Sequence, residues 1–147
     1  MTDKYESLRL ANQLCFPIYL CAKEMVRKYA PILEPLGLTY TQYVVMMYLW
    51  ERGDSNAKEM SDALLLDPST LTPILKKLEE KGYITRRRSE RDERNLVISL
   101  TPKGESLKDD ALSVPQSMGK CVDLSEDEAL QLYRLTYKVL MNVEKEN

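Results

Sequence analysis

The hydrophobic period of this chain changes at Gly82. Before it, Leu71, Ile74, Leu75 and Leu78 recur at the i, i+3, i+4, i+7 spacing that gives a helix one buried stripe. After it, "YITRRR" and "NLVISL" are β-rich runs around the charged "SERDER", which predicts a hairpin with a polar tip from Tyr83 to Leu100. A glycine there can adopt the left-handed conformation that closes a helix. The start of that helix has two readings, Asp67 capping with Pro68 first or Thr72 capping with Pro73 first. Under either, Ser69, Thr70 and Thr72 cluster at an N-terminal end, where free N–H groups and the helix dipole favour anions.

The flanking sequence supplies more helices. Apolar spacing predicts one over Leu8–Tyr29, stopped by Pro31, Pro35 and Gly37. Thr39 caps a second over Thr41–Glu51, and "AKEMSDALLL" reads as a short third with Ala57, Met60, Ala63 and Leu64 on one face. Beyond the hairpin, Thr101 and Pro102 start a helix to about Val114, broken at Pro115. Ser125 with Glu128 reads as a capping box opening a last helix to about Lys145. The expected fold is mainly α with a small β wing. The whole order is four helices, a basic hairpin and two more helices; within it, helices joined by a tight turn, the last with hydroxyls at its start, followed by the basic hairpin, have the order of a winged helix-turn-helix over 39–101, with the long first and last helices outside. In that reading the Thr72, Lys76 and Lys77 face enters a major groove and the hairpin tip reaches a minor groove or the backbone. The helical regions 5–31 and 102–147 carry excess apolar surface, for which a twofold homodimer is the simplest partner.

Composition narrows the function. At 147 residues the chain is one subunit, 44% hydrophobic and 30% charged. It has no histidine, which disfavours zinc sites and His-dependent triads, and no glycine-rich phosphate loop. No metal or cofactor is expected. Three cysteines form no paired framework. The longest apolar run, Val44 to Trp50, is too short to span a bilayer and no leader precedes it, so a soluble cytoplasmic protein without a membrane partner is expected. Net charge is −2, yet Lys76 to Arg94 holds eight basic residues (Lys76, Lys77, Lys81, Arg86, Arg87, Arg88, Arg91, Arg94) against five acidic ones. A basic stripe on an acidic body suits a local phosphate-binding surface, with double-stranded DNA as the expected partner.

"DERNLVISLTPKG", residues 92–104, resembles the wing signature of the MarR superfamily, and "LTPILKKLEEKGYITRRRSE" extends the likeness across the winged region. The resemblance implies that Arg94 enters the minor groove, oriented by Asp92. "NQLCFPIY" and "KYAPILEPLGLTYTQYVVMMYLWE" are similar to the organic-hydroperoxide repressor (OhrR-type) branch. That branch senses peroxides with one cysteine near the start of its first helix, the place of Cys15. It is implied to be a dimer in which Tyr19 and Tyr29 hydrogen-bond the thiolate across the interface. An organic hydroperoxide would then oxidise Cys15 and release a pseudo-palindromic operator.

The sulfenic acid formed at Cys15 condenses with a second thiol, either Cys121, placed here in the loop before the last helix, or a low-molecular-weight cellular thiol. Cys21 lies about 240° round the helix from Cys15 and reads as structural. Pro17, two residues beyond the sulfur, is expected to free the Gln13 carbonyl and bend the helix. Two other functions fit parts of the pattern. A MarR-type regulator of a small aromatic ligand predicts that Cys15→Ser remains inducible. A thiol-dependent peroxidase predicts turnover without DNA binding and leaves the basic wing unexplained.

Overall fold

The first helix begins at Cys15, not at Leu8. In the computed structural model, which describes residues 3–92 and 94–145, residues Glu6–Leu8 and Leu10–Asn12 form two short 3-10 turns ahead of it. Helix α1 is Cys15–Leu33. The side chains of "NQ" hold the preceding segment: Asn12 Nδ2 donates to the Glu6 carbonyl at 2.8 Å and Gln13 Nε2 to the Ser7 carbonyl at 2.7 Å. Pro17 is therefore the third helical residue, where its missing N–H costs no helical bond. The expected loss of a helical bond to the Gln13 carbonyl is overturned for that reason. Pro31, expected to end the helix, lies inside its last turn, and α1 runs on to Leu33 before a 3-10 turn Glu34–Leu36 and Gly37 at φ +67°.

Helix α2, Tyr40–Arg52, opens on a complete capping box: the Thr39 hydroxyl accepts from the Gln42 N–H and Gln42 Oε1 accepts from the Thr39 N–H at 3.1 Å. Strand β1, Ser55–Asn56, precedes α3, Ala57–Leu64. On α3 Met60 is fully buried, but Ala63, expected on the same face, is exposed. Helix α4, Pro68–Glu80, starts at the earlier of its two candidate sites, with Asp67 as N-cap and Pro68 first. Leu71, Leu75 and Leu78 are buried along it. Burial of this order is worth about 1.5–3 kcal/mol per side chain and fixes which face of α4 turns outward. The helix ends in a Schellman motif: Gly82 at φ +80° donates to the Glu79 carbonyl at 2.9 Å and Tyr83 to the Leu78 carbonyl at 3.1 Å.

Strands β2, Ile84–Arg88, and β3, Leu96–Leu100, form the expected hairpin, with Arg86 opposite Ile98 and Arg88 opposite Leu96. Strand β1 pairs on the other edge of β3, Ser55 opposite Ile98, so the antiparallel order is β1-β3-β2. Two residues carry no alternation, and β1 gave no pattern to read. Helix α5, Pro102–Asp110, is capped by Thr101 as expected but ends before Val114. Helix α6, Ser113–Val122, takes Pro115 as its third residue instead of breaking there. Cys121, expected in a loop, is in α6. Helix α7, Glu126–Glu144, has Ser125 as N-cap. The Ser125 hydroxyl accepts from the Glu128 N–H and donates to the Glu128 carboxylate at 2.9 Å, which is half of the expected capping box.

The chain divides into two compact units, 1–114 and 115–147. In the first, Leu33, Val45, Met46, Leu49, Met60, Leu75, Leu78, Ile84 and Ile98 make the centre of the core. No helix among the described residues is long and apolar enough to cross a membrane.

Candidate nucleic-acid interface and thiol site

The buried stripe of α4 leaves Ser69, Thr70, Thr72, Lys76 and Lys77 on its exposed face. Thr72 Oγ1 donates to the Pro68 carbonyl at 2.8 Å, which fixes its rotamer and keeps its lone pairs outward. Pro73 supplies no N–H to the turn it follows, and the first turn of α4 carries the orphan N–H groups of any helix start. Lys77 shares its charge with Glu80 at 3.6 Å, while Lys76 points out.

Beside this face the wing is braced from below. Glu79 accepts the Arg86 backbone N–H at 2.8 Å with one carboxylate oxygen and Arg86 Nη2 at 3.1 Å with the other. The Arg86 side chain is 22% exposed and that of Glu79 38%. The side-chain bond from Arg86, reinforced by its backbone N–H, holds the Glu79 carboxyl below the usual carboxylate range. Of the two basic strand residues singled out in the sequence, Arg86 is thus committed to α4 and Arg88 is exposed near the tip. At the tip Asp92 Oδ1 accepts the backbone N–H of Arg94 at 3.0 Å, an Asx-turn, and the Arg94 side chain is exposed. Asp92 thus meets Arg94 at its main chain. Glu79 was missed by the sequence reading because an acidic residue inside a basic segment looks like simple charge dilution.

Cys15 is the first residue of α1 and is exposed. Tyr19 stands one turn on, over the same face, and is 63% exposed. Leu14 and Ile18 beside it are also exposed, so the thiol sits on an uncovered apolar surface. Tyr29 is on the same unbroken helix, fourteen residues or about 21 Å from Cys15. One chain does not bring them together. Its ring instead packs on Tyr40 at 4.7 Å and Tyr43 at 6.0 Å. Burial, followed by the influence of Tyr40 and Tyr43, pushes its phenol above the ordinary value, so Tyr29 is a protonated donor at neutral pH. Cys21 and Cys121 are exposed, Cys121 in the second unit.

Residues 27–111 match the family model described as transcriptional regulator SarA/Rot. The chain belongs to that family. Within the wider MarR superfamily this SarA/Rot member stands in the OhrR-type branch. It is 40% identical, over the whole of both chains, to the organic hydroperoxide resistance transcriptional regulator of Bacillus subtilis. Its fold matches reduced AbfR of Staphylococcus epidermidis bound to DNA with a TM-score of 0.78 at 34% identity, covering 96% of this chain and 99% of that one. It also matches AbfR with a disulfide formed, with a TM-score of 0.66 at 33% identity over 97% of each chain. The winged-helix order drawn from the period change at Gly82 is thus the fold of this SarA/Rot regulator.

Proposed function

We propose that this SarA/Rot-family chain is a dimeric DNA-binding repressor that lets go of a pseudo-palindromic operator when an organic hydroperoxide oxidises Cys15. The observation that carries the DNA part is the pairing of an outward hydroxyl and lysine face on α4 with an arginine wing that Glu79 ties to it. Ser69, Thr70, Thr72, Lys76 and Lys77 contact the major groove and its phosphates. Arg88 and Arg94 reach the backbone or minor groove, and Arg86 with Asp92 sets the angle from which they do so.

The chemistry at Cys15 is a two-electron oxidation. The thiolate attacks the outer peroxide oxygen of ROOH, the O–O bond breaks, and the alkoxide leaves as ROH after taking a proton, giving sulfenic acid at Cys15. A second thiol then attacks the sulfenic sulfur, forming S–S and expelling water. The second thiol is that of Cys121 or a small cellular thiol. Tyr19, one turn from the sulfur, and the protonated Tyr29 of the partner subunit donate to the thiolate. The uncovered apolar face around Cys15 both accepts an alkyl chain and forms the dimer interface. The disulfide-formed and DNA-bound states known for AbfR support this cycle.

The test is binding of a duplex selected by the reduced protein, before and after one equivalent of cumene hydroperoxide, with intact-mass analysis of wild type, Cys15→Ser and Cys121→Ser. Release that requires Cys15 supports the reading. A linked species that vanishes in Cys121→Ser assigns the second thiol, and release unaffected by Cys15→Ser overturns the peroxide reading.

A further inference from the structure

Two side chains at the C-terminal end of the DNA-facing helix grip the backbone that joins α1 to α2. Lys81, the C-cap of α4, donates through Nζ to the Gly37 carbonyl at 2.5 Å and to Gln42 Oε1 at 2.7 Å. Tyr83, two residues later at the root of the wing, donates its hydroxyl to the Leu36 carbonyl at 3.0 Å. The Gln42 oxygen that receives Lys81 is the one that closes the α2 capping box on Thr39, and Gln42 is buried. Lys103 of α5 completes the cluster: its Nζ donates to the Lys81 carbonyl at 2.9 Å and lies 4.9 Å from the centre of the Tyr83 ring. Leu36 and Gly37 end the 3-10 turn that follows the helix beginning with Cys15.

We infer that Lys81 and Tyr83 are positioning residues that carry the state of the sensor helix to the recognition helix and wing. The inference rests on the peroxide-sensing reading. Helix α1 runs nineteen residues from Cys15 to Leu33, with Pro31 lacking its N–H only in the last turn, so a shift at Cys15 is carried along the helix to the turn that follows Leu33. The 3-10 turn and the left-handed Gly37 form the joint where that helix ends. The joint's carbonyls are held by the Lys81 ammonium at the end of α4 and the Tyr83 hydroxyl at the root of the wing. Moving the joint therefore moves the end of α4 and the root of the wing together, or breaks two hydrogen bonds. Coupling between such sites is typically worth a 5- to 150-fold change in affinity.

The experiment compares wild type, Lys81→Met, Lys81→Arg and Tyr83→Phe, each as the full chain. It reads DNA affinity in the reduced and hydroperoxide-treated states, the mass of the Cys15 peptide, thermal stability and salt dependence. Lys81→Met and Tyr83→Phe are expected to be oxidised as fast as wild type while the oxidised-to-reduced affinity ratio collapses at least about fivefold, with Lys81→Arg restoring it. Tyr83→Phe loses one hydroxyl and keeps its ring, so it preserves the test if Lys81→Met is poorly folded. A ratio unchanged in the folded variants overturns the inference. So does a lower salt slope with an unchanged ratio, which makes Lys81 a simple phosphate contact. Failure of wild type itself to release DNA on oxidation would instead sink the peroxide-sensing reading, and is thereby told apart.

Discussion

A β-carbon added to Gly104 would lie 2.0 Å from the Tyr83 carbonyl oxygen and 3.0 Å from its carbon, so no side chain fits there. This is why the "LTPKG" motif ends in glycine: α5 must touch the root of the wing, with the Gly104 N–H on Thr101 Oγ1 at 3.0 Å and its carbonyl receiving Trp50 Nε1 at 3.0 Å. Overpacking of backbone against backbone costs about 3 kcal/mol, and Gly104→Ala is expected to lower stability by about that much in urea unfolding. The Glu79–Arg86 brace acts more gently. Glu79→Gln weakens one charge-assisted contact on a partly exposed pair, for an expected loss of about 1 kcal/mol at pH 7. Because the folded-state carboxyl is held below its ordinary range, that contribution is present above the unfolded value and fades as pH falls through the folded one. The stability gap between wild type and Glu79→Gln should therefore close below about pH 4, measured by urea midpoints across pH. Arg94 and Asp92 were legible from the tip sequence, whereas the partner of Arg86 was set by the register of β2 against α4, which no local pattern encodes.

At the scale of elements, caps read well and prolines read badly. Thr39, Thr101 and Ser125, the caps read in the sequence, each accept from the N–H three residues on, and Asn56, not singled out there, does the same for α3. Pro17 and Pro115 misled because a proline at the third helical position and one in a helix interior look identical in sequence. What separates them is where the first turn forms, and for α1 that depends on Asn12 and Gln13 folding back on Glu6 and Ser7. Pro17→Ala should thus change stability by less than about 0.5 kcal/mol and leave the rate of Cys15 oxidation unchanged, checked by urea unfolding and by mass spectrometry. The turn between α3 and α4 carries strain instead. Leu65 has φ +53° and is 55% exposed, so it loses little burial if replaced. Leu65→Gly is expected to raise stability by up to about 1 kcal/mol by relieving the left-handed backbone, as a higher thermal midpoint.

At the scale of the whole molecule, each terminal helix is incomplete by itself. Leu14, Ile18, Tyr19, Met25 and Val26 are exposed on or beside α1, and Leu132, Leu135, Val139 and Val143 along one side of α7. Surface of this kind calls for a partner, and the twofold copy proposed above is the one that would cover it. Replacing Leu135 and Val139 together by glutamate should yield monomers in sedimentation and lower DNA affinity by at least about 100-fold, as half-site binding does. The sensing chemistry was legible only through likeness to the OhrR-type branch, since a cysteine at a helix start has no signature separating a sensor from a small apolar residue. The most direct measurement is therefore DNA affinity of wild type and Cys15→Ser before and after one equivalent of cumene hydroperoxide. The account predicts that wild type loses binding and Cys15→Ser keeps it. Equal loss in both, or retention in both, would contradict it.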